Sequence, residues 1–410
     1  MRPSRFLAGV LLCVLPCGVR PIPPPEPERC HVHTHGTALR ETFVASRDGP
    51  AGNASARELC YARVMAMPAT MCTRESTVRE LCSHSYIFIG GLFHSGTGAI
   101  RTALAAAAPS RVSVHSNTHR IEDEGKYMQT VYVVNRNRDA RLWHCAFLES
   151  KRDESQHPPH TPGALRKDEA DALSLNPRGS ALLFSQWARF WDTRMPILVE
   201  KSPMNLVRTR FLASLFPEMA SFAVIVRHPF GTCAMQLKSA FKLFTAQVQS
   251  QRSQIRRGRP GVDLSHVFRR LDSIVKSWAD LYGTFETDAK HVRRSVMVRF
   301  EALLSDPHEA ARRTLLALGL RPDDTRGRSL NFDKWATGID ARKAYEWAWQ
   351  YAEQFSQLQL LSSAGTRGAQ QRGSQWEALV RNYEGRAGRY GYSLSNFTNL
   401  GPPTSPLVCI

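Results

Sequence analysis

SYIFIGGLFHSGTGAIRTAL, residues 85–104, puts three kinds of local preference into one short stretch. Tyr86 to Ile89 is an apolar run closed by Gly90-Gly91, the composition of a buried strand. Leu92 to Gly98 is a turn rich in Gly, Ser and Thr. Ala99 to Ala108 is made of helix formers, and Pro109 limits how far that helix runs. A strand, a glycine-bearing turn and a helix in this order point unpaired backbone N–H groups at an anion, with the helix dipole in support. The stretch reads as a phosphate cradle, against the plainer reading of an ordinary strand-to-helix turn.

Four residues separate Gly91 from Gly96, as in the nucleotide-triphosphate loop GxxxxGK[ST]. Thr97 stands where that motif needs Lys, and Gly98 where it needs the hydroxyl that holds magnesium. The cradle is kept while the groups for γ-phosphate chemistry are missing, which argues against a kinase or an ATP or GTP hydrolase. Phe93-His94-Ser95-Gly96-Thr97-Gly98 instead resembles the 5′-phosphosulfate loop of the sulfotransferase superfamily, roughly Pro-[Lys/Arg]-Ser-Gly-Thr-[Ser/Thr].

Further blocks follow in the order that family shows. Met195 to Val199 is strand-like and leads into Glu200-Lys201-Ser202-Pro203; Arg208 to Phe216 is helical and stops at Pro217. Ser221 to Val226 is a buried-type strand ended by Arg227-His228-Pro229, which resembles the family's 3′-phosphate site. Parallel strands joined by a crossover helix bring their ends to one sheet edge, so Arg227 arrives beside the first loop. Its planar fork suits bidentate phosphate binding. Val296 to Leu303, Asp306-Pro307 and Gly319-Leu320 resemble the late "R-[Tyr/Phe]-E-x-L … D-P … L-G-L" block, with Glu301 read as a structural cap or buried pair. Trp376 to Tyr392 resembles the closing helix and Gly-Tyr turn. The matches cover about residues 85–132, 195–240, 290–320 and 376–394.

The resemblance implies an α/β fold, a P-loop-containing nucleotide hydrolase-like three-layer sandwich with a central parallel sheet. It implies PAPS (3′-phosphoadenosine 5′-phosphosulfate) as co-substrate and no metal. Lys201 would neutralise charge on the bridging oxygen and sulfonate, and His94 would contact the 5′-phosphosulfate. Ser95, Gly96, Thr97 and Gly98 would give backbone and hydroxyl donors, and Arg227 would hold the 3′-phosphate. Sulfuryl transfer to a hydroxyl needs a base, and a Glu beyond the phosphate loop has that role in many Golgi-type members. Ile121-Glu122-Asp123-Glu124-Gly125 offers Glu122 first and Glu124 second, ahead of His115 and His119. Its spacing and Gln129 look like an algal and protist subgroup, which is also distantly like the tyrosylprotein and carbohydrate sulfotransferases. The competing reading is a solvated acidic loop capping the next helix through Glu122 and Asp123.

The chain departs from the family pattern in places. Met235 stands where the family has a Ser eight residues after the strand-end Arg, leaving Thr232 or Ser239 as substitutes. Gly98 loses a hydroxyl, and His94 is cationic only at favourable pH. Ser362 to Gly373 reads as a flexible basic loop from which Arg367 or Arg372 would fold over the cofactor.

At 410 residues, 42% hydrophobic and 22% charged, the chain has ordinary globular composition, and its net charge of +18 favours anionic ligands. Residues 1–20 have the basic start and apolar run of a signal peptide or signal anchor. That run is shorter than the ~20 residues of a spanning helix. Residues 21–59 read as stem or linker, 60–395 as the sulfotransferase domain and 396–410 as a tail. Asn53-Ala54-Ser55 and Asn396-Phe397-Thr398 are glycosylation sequons, and Cys30, Cys60, Cys72 and Cys82 are placed to form disulfides with the pairing open. Cys30-His31-Val32-His33-Thr34-His35 has no second cluster at metal-ligand spacing and reads as incidental. These features place the protein in the secretory pathway, in the Golgi lumen or secreted. The expected partners are PAPS, its product PAP and a hydroxyl-bearing acceptor (glycan or protein tyrosine first, then a small molecule), with no nucleic acid. The alternatives are a non-catalytic anion- or glycan-binding protein on the same fold, or a nucleotide-dependent kinase.

Overall fold

The structure, a computed structural model, describes residues 56–65, 75–118, 123–134, 166–174, 178–229, 231–232, 265–323, 367–395 and 407–408. The stretch from Tyr86 forms β1 (Ser85–Gly91), and the turn after it feeds α3 (Thr97–Ala107), preceded by α1 (Ala56–Met65) and α2 (Glu75–Leu81). The chain continues through β2 (Val112–Val114), α4 (Glu169–Ser174), α5 (Arg178–Trp187), β3 (Ile197–Lys201), α6 (Thr209–Leu215) and β4 (Ala220–Val226). Then come α7 (Ser265–Ala289), β5 (Ser295–Arg299), α8 (Phe300–Ser305), α9 (Pro307–Ala317), α10 (Arg367–Arg389) and β6 (Leu407–Val408).

The strands lie in the order β2-β3-β1-β4-β5-β6. The first five are parallel, and β6 joins β5 antiparallel. Every residue of β3 and β4 is buried, and every residue of β1 after Ser85. Strands covered on both faces lose polar alternation, which is why they read as unbroken apolar runs. Successive side chains still take opposite faces. Tyr86, Phe88, Leu198, Phe222 and Val224 join a core with Trp187, Phe211, Phe216, Trp278 and Tyr282. Ile87, Ile89, Val199, Ala223 and Ile225 join another with Ile100, Leu104, Ala311 and Leu315. The helices α5, α6 and α7 thus cover one face and α3 and α9 the other, the expected three layers.

The chain leaves β1 toward β2 on one side and leaves β4 toward β5 on the other. The crevice between the β1 and β4 tips is therefore the topological switch point, where such sheets receive ligands.

One expectation is corrected and another is made specific. The helix foreseen from Trp376 begins at Arg367, so Arg367 and Arg372 belong to α10 and not to a loop. Ala369, Gln370, Gln371 and Gln375 favour helix strongly enough to carry it through Gly368 and Gly373. The cysteines of the leader resolve into one described disulfide, Cys60–Cys82, joining α1 to the end of α2. Glu122, His119, Met235, Ser239, both sequons, the signal-like start and residues 21–55 of the stem lie outside the described residues, while residues 56–59 open α1. No described helix is long and apolar enough to cross a membrane.

Candidate functional site

The loop after β1 is fixed by close approaches that only glycine permits. A Cβ on Gly90 would stand 2.6 Å from the Leu206 backbone nitrogen, and one on Gly91 2.6 Å from Ser95 Oγ. Gly96 takes φ +105 over the Phe300 ring, and His94 takes a left-handed φ of 62. Ser95 donates from both N and Oγ to the Leu92 carbonyl, at 3.0 and 2.6 Å. Its hydroxyl is fully buried, so it shapes the loop instead of presenting a donor outward. Tyr282 locks the loop to β4: its hydroxyl accepts from Leu92 N at 3.4 Å and donates to Ile225 O at 2.8 Å. Helix α3 starts at Thr97, with Gly96 as an N-cap that makes no side-chain cap bond. The first-turn N–H groups of α3, including those of Thr97 and Gly98, are left to the loop side.

Arg227 stands at the tip of β4 and is 3% exposed. Its Nη1 donates to the His94 carbonyl at 3.0 Å, and its guanidinium lies over the Phe300 ring, 4.4 Å from the centroid. Trp278 Nε1 donates to the Arg227 carbonyl at 2.9 Å, and the Thr232 hydroxyl to the carbonyls of Arg227 and His228 at 3.2 and 3.1 Å. Thr232 is thereby committed to the turn after β4. Glu301 accepts from the Tyr392 hydroxyl at 2.5 Å while Tyr392 also reaches Val226 O, so Glu301 ties α8 to the chain after α10.

The third corner is the tip of β3. Lys201 pairs in register with Ile89 of β1 and is 1% exposed. Its Nζ lies 3.3 Å from Glu124 Oε1, and Lys126 Nζ lies 3.0 Å from Glu124 Oε2. Glu124 and Lys126 are both fully buried. The neighbours of Lys201 hold this turn in place. Glu200 Oε1 accepts from Gly125 N at 2.9 Å, Ser202 Oγ accepts from Lys126 N at 3.2 Å, and Trp187 Nε1 donates to Gly125 O at 2.9 Å. Gly125 passes so close to the Glu200 carboxylate that a Cβ there would sit 2.5 Å from it. Burial pushes the Glu200 carboxyl above its ordinary range, against hydrogen bonds from Ser202 and Asn205.

Of the acidic triplet, Asp123 ties the loop down: its Oδ1 accepts from Thr118 N and Oγ1 at 3.3 and 2.6 Å, and its Oδ2 is 3.5 Å from Arg101. It does not cap a following helix. His115, beyond the end of β2, stacks on Trp191 with centroids 4.4 Å apart, and neither ring nitrogen has a hydrogen-bond partner. Burial, with Arg101 adding to it, holds this imidazole well below its ordinary pKa.

The structure thus brings together His94, Ser95, Gly96, Thr97, Gly98 and Arg227 at one crevice, with Lys201 and Glu124 at the next strand tip. Lys126 and Glu200 are the members that the motif reading passed over. Lys126 directly follows the Ile121-to-Gly125 segment, and its charge two residues from Glu124 was the signal available.

A parallel α/β sheet whose glycine-bearing first loop and strand-end Lys201 and Arg227 meet at neighbouring carboxyl ends has the P-loop-like arrangement. A family model described as "Sulfotransferase family" matches residues 86–324, and the chain belongs to that family. Among solved structures it is similar to the sulfotransferase domain of the Synechococcus PCC 7002 olefin synthase, at 16% identity and TM-score 0.28 over 61% of this chain and 82% of that one. It is also similar to a sulfotransferase from Alicyclobacillus acidocaldarius, at 15% identity and TM-score 0.27 over 69% of this chain and 98% of that one. The search of curated proteins returns no match.

Proposed function

We propose that the protein moves a sulfuryl group from PAPS to an acceptor hydroxyl, on a glycan or a protein tyrosine in the secretory pathway. The observation that carries the reading is the contact between Arg227 and the His94 carbonyl, 3.0 Å across neighbouring strand tips. It puts a guanidinium and a glycine-rich helix start within reach of opposite ends of one bisphosphorylated nucleotide. The residues fit that ligand: the start of α3, with no side-chain cap, would take the 5′ end, and the Arg227 fork would take the 3′-phosphate.

In the proposed reaction the acceptor oxygen attacks sulfur in line, forming the new S–O bond as the bond to the 5′-phosphate oxygen breaks. The electron pair of that bond stays on PAP, stabilised by Lys201 and His94, and the acceptor proton passes to Glu124. The protein's contribution is placement and fixed charge, as in phosphoryl transfer. Glu124 is the base in this reading because it is the described carboxylate on Lys201. The Cys60–Cys82 disulfide supports an oxidising compartment.

Titration calorimetry with PAP and with ATP tests the donor site, and ³⁵S-labelled PAPS incubated with an extract of the source organism tests transfer. PAP binding together with label on an extract component is the expected result. ATP binding in preference to PAP would make it a kinase-like protein, and PAP binding with no acceptor labelled would make it a binding protein.

A further inference from the structure

The buried charges at the β3 tip are two ammonium groups on one carboxylate, each lysine on a different oxygen of Glu124. The two lysines are differently held. Lys201 is a strand residue whose amine, in the proposed reaction, must reach the departing phosphate. Lys126 is fixed at both ends: its backbone N–H is bonded to Ser202, and its amine lies 4.9 Å from the Phe93 ring centroid and 4.7 Å from that of Tyr127. An ammonium between two aromatic faces and a carboxylate has little reason to move.

We propose that Lys126 is a positioning residue for sulfuryl transfer, holding Glu124 at the strand tip while Lys201 changes partner from Glu124 to the donor. The inference rests on the sulfuryl-transfer reading above. Before the donor arrives, Lys201 covers Glu124 Oε1, so the base is masked. When Lys201 turns to the donor, Oε1 becomes open to an acceptor hydroxyl, and Lys126 remains on Oε2. A buried carboxylate with no cation left beside it is strongly disfavoured, and without Lys126 it would follow Lys201. The donor must therefore bind before the base is available, and Lys126 makes that exchange tolerable. Phe93 belongs to the loop after β1, so the same lysine also registers that loop against the β3 tip.

The test uses the full chain with ³⁵S-PAPS, and p-nitrophenol, galactose and a tyrosine-containing peptide as acceptors, together with calorimetric PAP binding and thermal melts. Lys126→Met should leave the PAP Kd within about threefold and lower kcat by about 10- to 100-fold at unchanged KM for PAPS. Lys126→Arg, which keeps the charge, should recover most of that loss. In the background of Glu124→Gln, adding Lys126→Met should cost little more, because the residue it positions is already gone. Should Lys126→Met fold poorly, the Glu124→Gln/Lys126→Met pair, which removes the charges together, carries the comparison with Glu124→Gln alone.

Wild-type kcat in Lys126→Met, equal losses in the Met and Arg variants, or losses that multiply with Glu124→Gln would each overturn the proposal. If the wild-type protein neither binds PAP nor moves label, the underlying reading fails, and that result is distinct from all of these.

Discussion

Arg227 at the tip of β4 donates from Nη1 to the main-chain oxygen of His94, 3.0 Å away in the loop after β1. The same guanidinium lies over the ring of Phe300, the first residue after β5. One side chain therefore links three consecutive strand ends of the parallel sheet. Lysine, a point charge on a flexible stem, cannot keep both the ring face and the carbonyl while addressing a phosphate. Arg227→Lys should raise the Kd for PAP by about 10- to 100-fold, since a charge-assisted hydrogen bond contributes about 1.5–3 kcal/mol. Calorimetry measures it, and an unchanged Kd would remove Arg227 from the nucleotide site.

Glu124 and Glu122 are separable by the same logic. Glu124→Gln keeps the shape of the side chain and removes the base. It should lower kcat by about 10²- to 10⁴-fold while PAP affinity changes by a few-fold at most. Glu122→Gln should stay within a few-fold of wild type. Initial rates with labelled PAPS decide the matter, and the reverse ranking would move the base to Glu122.

The sheet was readable before any coordinates because a strand covered on both faces needs an apolar run, and Tyr86–Ile89, Met195–Val199 and Ser221–Val226 are such runs. Lys201 and Arg227 were readable because each ends one of them. Lys126 was not, being one basic residue among 54; its importance arises when Phe93, Tyr127 and Glu124 close around it. Nor could Ser95 be known to turn its hydroxyl onto Leu92, since that depends on the width of the loop. The expected loop around Arg372 failed for another reason. Glycines at 368 and 373 weaken a helix locally, but downstream packing of Leu379 and Ala387 in the core stabilises the whole element.

Gly96 gives a prediction about shape alone. With φ at +105 and the Phe300 ring beneath it, an added methyl meets both backbone strain and an aromatic wall. Gly96→Ala should destabilise the fold by about 1–3 kcal/mol. Phe300→Ala in the same chain should recover only the steric part, because the positive φ persists. Urea unfolding of the two single variants and the double variant measures this. An alanine tolerated at no cost would mean that the loop has another accessible conformation.

The Cys60–Cys82 bridge closes a segment with a sequence separation of 22 and fixes α1 beside α2. Replacing both cysteines with serine should cost about 2–4 kcal/mol of stability through the unfolded chain's regained freedom. The bridge joins α1 and α2, which precede β1, so kcat per folded molecule should not change. Melting with and without reductant should show the wild type losing stability and the double variant indifferent. A loss of kcat in the variant at a temperature where it is folded would tie this bridge to the site.

His228 sets an acid limit on stability. Its ring is buried with Nε2 3.0 Å from the Ser393 carbonyl, and burial holds its pKa at about 4 against that hydrogen bond, with Arg227 lowering it further and Glu384 opposing. The unfolded chain returns it to ~6.5. Between those values the unfolded state binds a proton that the folded state refuses, so the neutral ring's contribution is complete above pH ~6.5 and is lost as pH falls toward 4. The slope is about 1.4 kcal/mol per pH unit, or about 3 kcal/mol across the window for this residue. His115, also depressed by burial, adds loss of the same sign. Glu309, held at about 2 chiefly by its hydrogen bond from Arg312, and Asp192, held at about 2 by Arg194, lose their contributions at lower pH, below the ordinary carboxylate range. Urea midpoints at several pH values from 7 to 4.5 should therefore fall in the wild type. They should fall less steeply in His228→Gln, whose side chain keeps a donor for Ser393 and cannot take the proton. Parallel wild-type and variant curves would show that His228 is not the titrating group.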